Sequence, residues 1–173
     1  MQFRITGLTL AAIGGAFPAA ASAQTLDVTL TLPRITVAEY HKPYVAVWLE
    51  KAGGPATTLT VWYDVNKRND GGKKWLSDVR MWWRASGRTL NLPADGVSGA
   101  TRAPGTHKIS FVGGRGAVPA LGAGAYTLVV EAAREGGGRE VVRVPVTIGA
   151  NGAGAGKAAG HGELGAVTVA AHR

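Results

Sequence analysis

Leu26, Val28, Leu30 and Leu32 alternate with Asp27, Thr29 and Thr31, a period-2 pattern that predicts a strand with one buried face. Tyr44-Val45-Ala46-Val47-Trp48-Leu49 and Leu59-Thr60-Val61-Trp62-Tyr63 predict two more strands, with Gly53-Gly54-Pro55 as turn material between them. These first three strands are expected to form a meander. Strands return at 108–112, 126–132 and 141–148, with turns at Gly113-Gly114 and Gly136-Gly137-Gly138. Residues 73–84 read differently. Trp75, Leu76, Val79, Trp82 and Trp83 recur at helical spacing and predict a short helix, although Ser77 and Asp78 are weak helix formers and residues 79–85 also suit a strand.

Short strands separated by Gly-rich turns predict an all-β fold: an immunoglobulin-like antiparallel β-sandwich of roughly seven strands with one short helix. Residues 105–111 followed by 121–128, where Gly124-Ala125-Tyr126 opens the second run, resemble paired strands of bacterial immunoglobulin-like modules. The expected domain covers residues 24–149. Residues 150–173 are set apart as a flexible Gly/Ala-rich tail, because 150–162 lack large apolar side chains; 163–171 either add a last strand or fray.

The N-terminal 23 residues have a different character. Arg4 precedes an apolar run, and Ala21-Ser22-Ala23 fits the small-residue pattern of signal-peptidase cleavage. Gly14, Gly15 and Pro18 interrupt the run, which is short of the roughly 20 apolar residues that a spanning helix needs. A signal peptide at 1–23 is therefore expected, with export by the Sec pathway to the periplasm. Compartment changes the meaning of charge. Among 173 residues, 19 Lys and Arg against 11 Asp and Glu leave a net +8. Outside the cytosol this excess points away from nucleic acid and toward phosphates, an anionic cofactor or an acidic partner. The chain has no cysteine, which excludes disulfide staples and thiolate metal sites.

The candidate chemistry lies in the loop after the aromatic stripe. Asp95-Gly96-Val97-Ser98-Gly99-Ala100-Thr101 fits Asp-x-x-Ser/Thr-Gly-Ala-Ser/Thr. This pattern resembles the flavinylation motif of FMN-binding domains in sodium-pumping quinone reductases and Rnf-type complexes, in which the last threonine carries FMN through a phosphoester. Here that residue is Thr101. A transferase must bring this hydroxyl in line with a phosphoryl group of FAD, so an exposed, deformable loop is expected. Gly99 and Ala100 remove bulk beside the acceptor, and Asp95 is placed to cap the turn or hold the segment. Trp82 or Trp83 offers a stacking face for the flavin, and Arg84 or Arg102 a partner for its phosphate or reduced ring.

Tyr44-Val45-Ala46-Val47-Trp48, Trp82-Trp83-Arg84, Val97-Ser98-Gly99-Ala100-Thr101-Arg102, Gly124-Ala125-Tyr126 and Glu131-Ala132-Ala133-Arg134-Glu135-Gly136-Gly137 together resemble a predicted periplasmic family, domain of unknown function 2271. The resemblance covers roughly 26–148 and departs in the Ala/Gly-rich end. It implies association with PepSY-type membrane reductases and with FAD:protein FMN transferases, in redox or iron-related settings. The expected function is an electron carrier with FMN esterified to Thr101, passing electrons between such a reductase and an extracytosolic acceptor. Two alternatives stand beside it: a structural or binding immunoglobulin-like module, and a metal- or haem-binding protein using His41, His107, His161 and His172. The histidines lack the close spacing that presents two imidazoles together. No Gly-x-Ser-x-Gly or His-Glu-x-x-His motif is present, and no autonomous enzyme is predicted.

Overall fold

A one-faced strand opens the part of the molecule that the computed structural model describes, residues 24–173. The expected signal peptide lies outside these described residues. In β1 (Thr25–Leu32) every second residue is buried, in phase with Leu26, Val28, Leu30 and Leu32. The same alternation marks β7 (Arg139–Ile148) and β9 (Ala166–His172). By contrast β2 (Tyr44–Lys51), β3 (Thr57–Tyr63) and β6 (Gly124–Ala133) are buried almost continuously. Unbroken burial means that both faces of these strands are covered.

The remaining strands are β4 (Ser98–Ala100), β5 (Gly105–Val112) and β8 (Gly154–Ala159). They complete two sheets, ordered β5-β1-β9-β8 and β4-β3-β2-β6-β7. All ladders are antiparallel except β3 with β4. The result is a sandwich-like all-β fold with one short α-helix, as the hydrophobic pattern predicted. Leu30, Val47, Leu128, Val144 and Val167 belong to the core between the sheets. A second apolar cluster covers the outer face of the five-stranded sheet. There Trp48, Val61, Tyr63 and Val129 meet Leu76 from a 3₁₀ segment (Arg68–Asp78), Trp82 from α1 (Arg80–Ala85) and Val79 between the two.

Four expectations change. The first three strands do not form a meander, because β1 pairs with β5 and β9 whereas β2 and β3 form a hairpin in the other sheet. Strands β5 and β6, expected as partners, also lie in different sheets. The helical stripe is 3₁₀ up to Asp78 and α-helix only from Arg80. Leu76 and the capping residue Val79 are buried, and Trp75 points away, 48% exposed.

The largest correction concerns residues 150–173. They contain β8 and β9, and β9 is an interior strand with β1 and β8 as its neighbours. Val167 and Val169 enter the inter-sheet core. The glycines that read as linker composition serve close packing: a Cβ on Gly154 or Gly156 would collide with the carbonyl oxygens of Thr147 and Pro145 in β7. Glu163 and Glu140 fasten the β8–β9 connection. Glu163 is paired with Arg134 at 3.0 Å, both side chains being only 7% exposed, and also accepts the Gly138 N–H. Glu140 accepts the backbone N–H groups of His161, Gly162 and Leu164.

Candidate functional site

Val97 is buried in the outer cluster, and its carbonyl accepts both the Val61 N–H and the Thr60 hydroxyl. This anchoring turns the next three residues into β4, which lies along β3 with Gly99 opposite Trp62 and Ala100 opposite Tyr63. Thr101 follows directly. The segment that leads to Thr101 is thus the edge of a sheet, in place of the exposed, deformable loop expected for phosphoryl transfer.

The motif residues divide by role. Ser98 Oγ accepts the Ala94 N–H at 3.0 Å and closes the turn. Asp95 and Ala100 are exposed. A Cβ on Gly99 would stand 3.0 Å from the Trp62 ring, so the glycine lets β4 approach that indole. Arg102 lies over the Trp62 ring, its guanidinium carbon 4.1 Å from the centroid. His107 meets the same ring edge-on at 5.5 Å.

Thr101 is half-buried, and its hydroxyl donates to Asp64 Oδ1 at 3.4 Å. That is long for an O–H···O bond and correspondingly weak. The side chain forms part of the wall of a cleft of about 270 Å³, lined also by Tyr40, His41, Lys42, Tyr44, Asp64, Trp75, Asp78, Ala133, Arg134 and Glu135. Strand β2 supplies Tyr44, the end of β3 leads to Asp64, and β6 supplies Ala133 and leads to Arg134.

The cleft's electrostatics follow from burial and pairing. Desolvation pushes the Tyr44 phenol up to about 12, with the neighbouring Asp64 charge adding to the rise. Its hydroxyl therefore stays protonated at neutral pH and donates to the Gly72 carbonyl at 3.0 Å. Burial also raises Tyr40, opposed by the Arg134 charge. Arg134 is held cationic by its bonds to Glu163. His41 lies 3.5 Å from Glu39 and 3.8 Å from Glu135.

Neither tryptophan expected to stack on a flavin stands in this cleft. Trp82 has no exposed surface, and its Nε1 donates to Thr58 at 2.9 Å. Trp83 is half-buried against the outer cluster, 6.1 Å from Trp82. The physical reason is the sheet beneath: buried Glu131 on β6 accepts the Met81 and Trp82 N–H groups, each at 2.9 Å, and pulls the start of α1 onto the strands. Arg84 turns back to the Arg80 carbonyl. Trp75 is the aromatic that shares the cleft with Thr101, and Asp64 is the polar partner that spacing did not reveal. Their signal was present only indirectly: Trp75 belonged to the aromatic stripe, and Asp64 directly follows a strongly apolar strand.

The four histidines are dispersed. His107 Nε2 contacts the Ala103 carbonyl, His172 faces Asp27 at 3.7 Å, and His161 lies at the Glu140-capped turn. Among the described residues no group of three or more His, Cys, Asp or Glu is placed to hold a metal ion.

Residues 25–166 match the model of a family described as a predicted periplasmic protein, DUF2271. The chain belongs to this family. The match continues past β7 and through β8, so most of the segment read as a tail belongs to the family's common unit. The family's description also agrees with the periplasmic location expected from the N-terminal segment. Among the described residues no helix is long and apolar enough to cross a membrane. No curated protein and no solved structure matches the chain.

Proposed function

We propose that this DUF2271 protein is a periplasmic electron carrier bearing FMN as a phosphoester on Thr101. The observation that carries the reading is the position of one hydroxyl: the last residue of a flavinylation-type motif stands half-exposed in a cleft wall, held only by a long bond to Asp64. Attachment would use FAD as the donor and an FAD:protein FMN transferase as the catalyst. The Thr101 Oγ–P bond forms while the pyrophosphate P–O bond of FAD breaks; AMP leaves with the bonding pair, and the hydroxyl proton passes to a base.

The residues present fit such a group. Lys42 lines the cleft and, with Thr101 and Asp64, the adjoining groove, where an ammonium favours a phosphodiester. Asp64 acts as a positioning residue that aims the hydroxyl before transfer. Bound FMN would supply reversible one- and two-electron chemistry. A cleft of about 270 Å³ is below the usual range for sites that enclose a whole ligand, roughly 300–1,000 Å³. It shelters part of a flavin and leaves an edge open to redox partners, for which a PepSY-type membrane reductase and an extracytosolic acceptor are proposed.

The test is co-expression of the exported chain with the transferase, followed by fluorescence of a denaturing gel and intact-mass measurement. Wild type is expected to carry one FMN and Thr101→Ala none. A dark wild-type band under conditions that label an established acceptor protein overturns the reading, as does undiminished labelling of Thr101→Ala.

A further inference from the structure

Among the large apolar side chains described as exposed, Val37, Trp75 and Met81, only Trp75 lines the cleft that also contains Thr101. Its neighbour Leu76 is 2% exposed and packs into the outer cluster, so the backbone beneath the indole is fixed by core contacts while the ring itself faces the cleft. Within the 3₁₀ segment the two neighbours divide: Leu76 is on the buried side, and Trp75 projects from another. Leaving an indole half in water forgoes a substantial hydrophobic gain. Placing it in a polar cleft that the Thr101 side chain also lines gives that exposure a use.

We infer that Trp75 is the face on which the isoalloxazine ring packs when FMN is attached to Thr101; this rests on the flavin reading above. Aromatic rings favour offset stacking and contribute beyond the area they bury. The isoalloxazine is planar and electron-poor, and indole is the most electron-rich aromatic side chain. Tyr40, also in the cleft wall, borders the same space, with Arg134 5.8 Å above its ring. Arg134 is already bound to Glu163, so the platform beside it is pre-organised and not dependent on the ligand for order. Trp82 and Trp83 are engaged in the outer layer and leave this role to Trp75.

Stacking against indole quenches flavin emission, which provides a readout separate from attachment. Wild type, Trp75→Leu, Trp75→Phe and Trp83→Leu are each co-expressed with the transferase, and emission is divided by flavin absorbance on native protein. All four are expected to carry one flavin by mass. Trp75→Leu should emit severalfold more per flavin than wild type, with loss of the induced circular dichroism in the flavin bands; Trp75→Phe should fall between them, and Trp83→Leu should match wild type. Flavin loaded on Trp75→Leu with wild-type emission and dichroism overturns the role of Trp75 and leaves the carrier reading standing. Wild type without flavin overturns both.

Discussion

The two apolar clusters of this molecule share a sheet but are built by different rules. The inter-sheet core takes one residue in two from β1, β7 and β9, and period-2 alternation announces it in the amino-acid order. The outer cluster takes the opposite faces of β2, β3 and β6 and closes them with a short 3₁₀ and α-helical layer. Its strands are buried on both faces, and its cover has little regular helix of its own. Such a layer depends on tertiary anchors, and two are evident: Trp82, fully buried with a satisfied indole N–H, and Glu131, which holds the N–H groups at the start of α1. The candidate cleft lies at one end of this second layer. The scaffold is thus set by the inner core, and the site by the outer one.

The sharpest way to break that division is Trp82→Ala. Removing a fully buried indole should cost about 3–5 kcal/mol. Amide exchange should rise first in residues 68–89, while β1 and β9 stay protected; uniform loss of protection would show that the two clusters unfold as one. Leu30→Ala, in the inner core, should cost about 2–5 kcal/mol and lower protection in both sheets together, as measured by denaturant melts and exchange.

Glu131→Gln keeps the shape but removes the charge that receives the helix N–H groups and the Arg139 guanidinium. A loss of about 1.5–3 kcal/mol is expected in thermal or urea unfolding, again centred on the outer layer. A smaller effect separates the β8–β9 turn from both clusters. Burial alone would raise Glu140, yet the backbone N–H groups of His161, Leu164 and Gly162 hold it below the ordinary 4.5. A depressed folded pKa stabilises the protein above the ordinary carboxylate value, and this contribution is lost as pH falls through the folded value. Wild type should therefore exceed Glu140→Gln in melting temperature at neutral pH, with the gap closing in acid. Thr101→Ala should be the quietest, within about 0.5 kcal/mol of wild type by urea unfolding, while abolishing the flavin band.

Legibility in the sequence follows the same division. Strands β1, β2, β3, β5, β6 and β7 are near their predicted positions, because alternation and apolar runs are local signals. β8 was missed because Gly154-Ala155-Gly156 resembles a linker in composition, and only the β7 carbonyls lying against it reveal why side chains are excluded. The motif containing Thr101 was readable as a string of residues. Its partner Asp64 lies 37 positions away and meets it only because β4 adds alongside β3. Trp75 was visible as part of a stripe, but the stripe assumed 3.6 residues per turn; in the 3₁₀ segment that ring lies at the cleft while Leu76 stays inside.

By itself the order of residues determined the all-β class, most of the strands, the charge balance and the candidate acceptor hydroxyl, since each depends on side-chain periodicity or on a contiguous motif. Tertiary structure decided the partition of strands between sheets, the inclusion of the Gly/Ala-rich end in the fold, and the meeting of Thr101, Asp64 and Trp75 at one cleft. These depend on backbone pairings and side-chain approaches between segments far apart along the chain, for which local hydrophobic pattern carries no register.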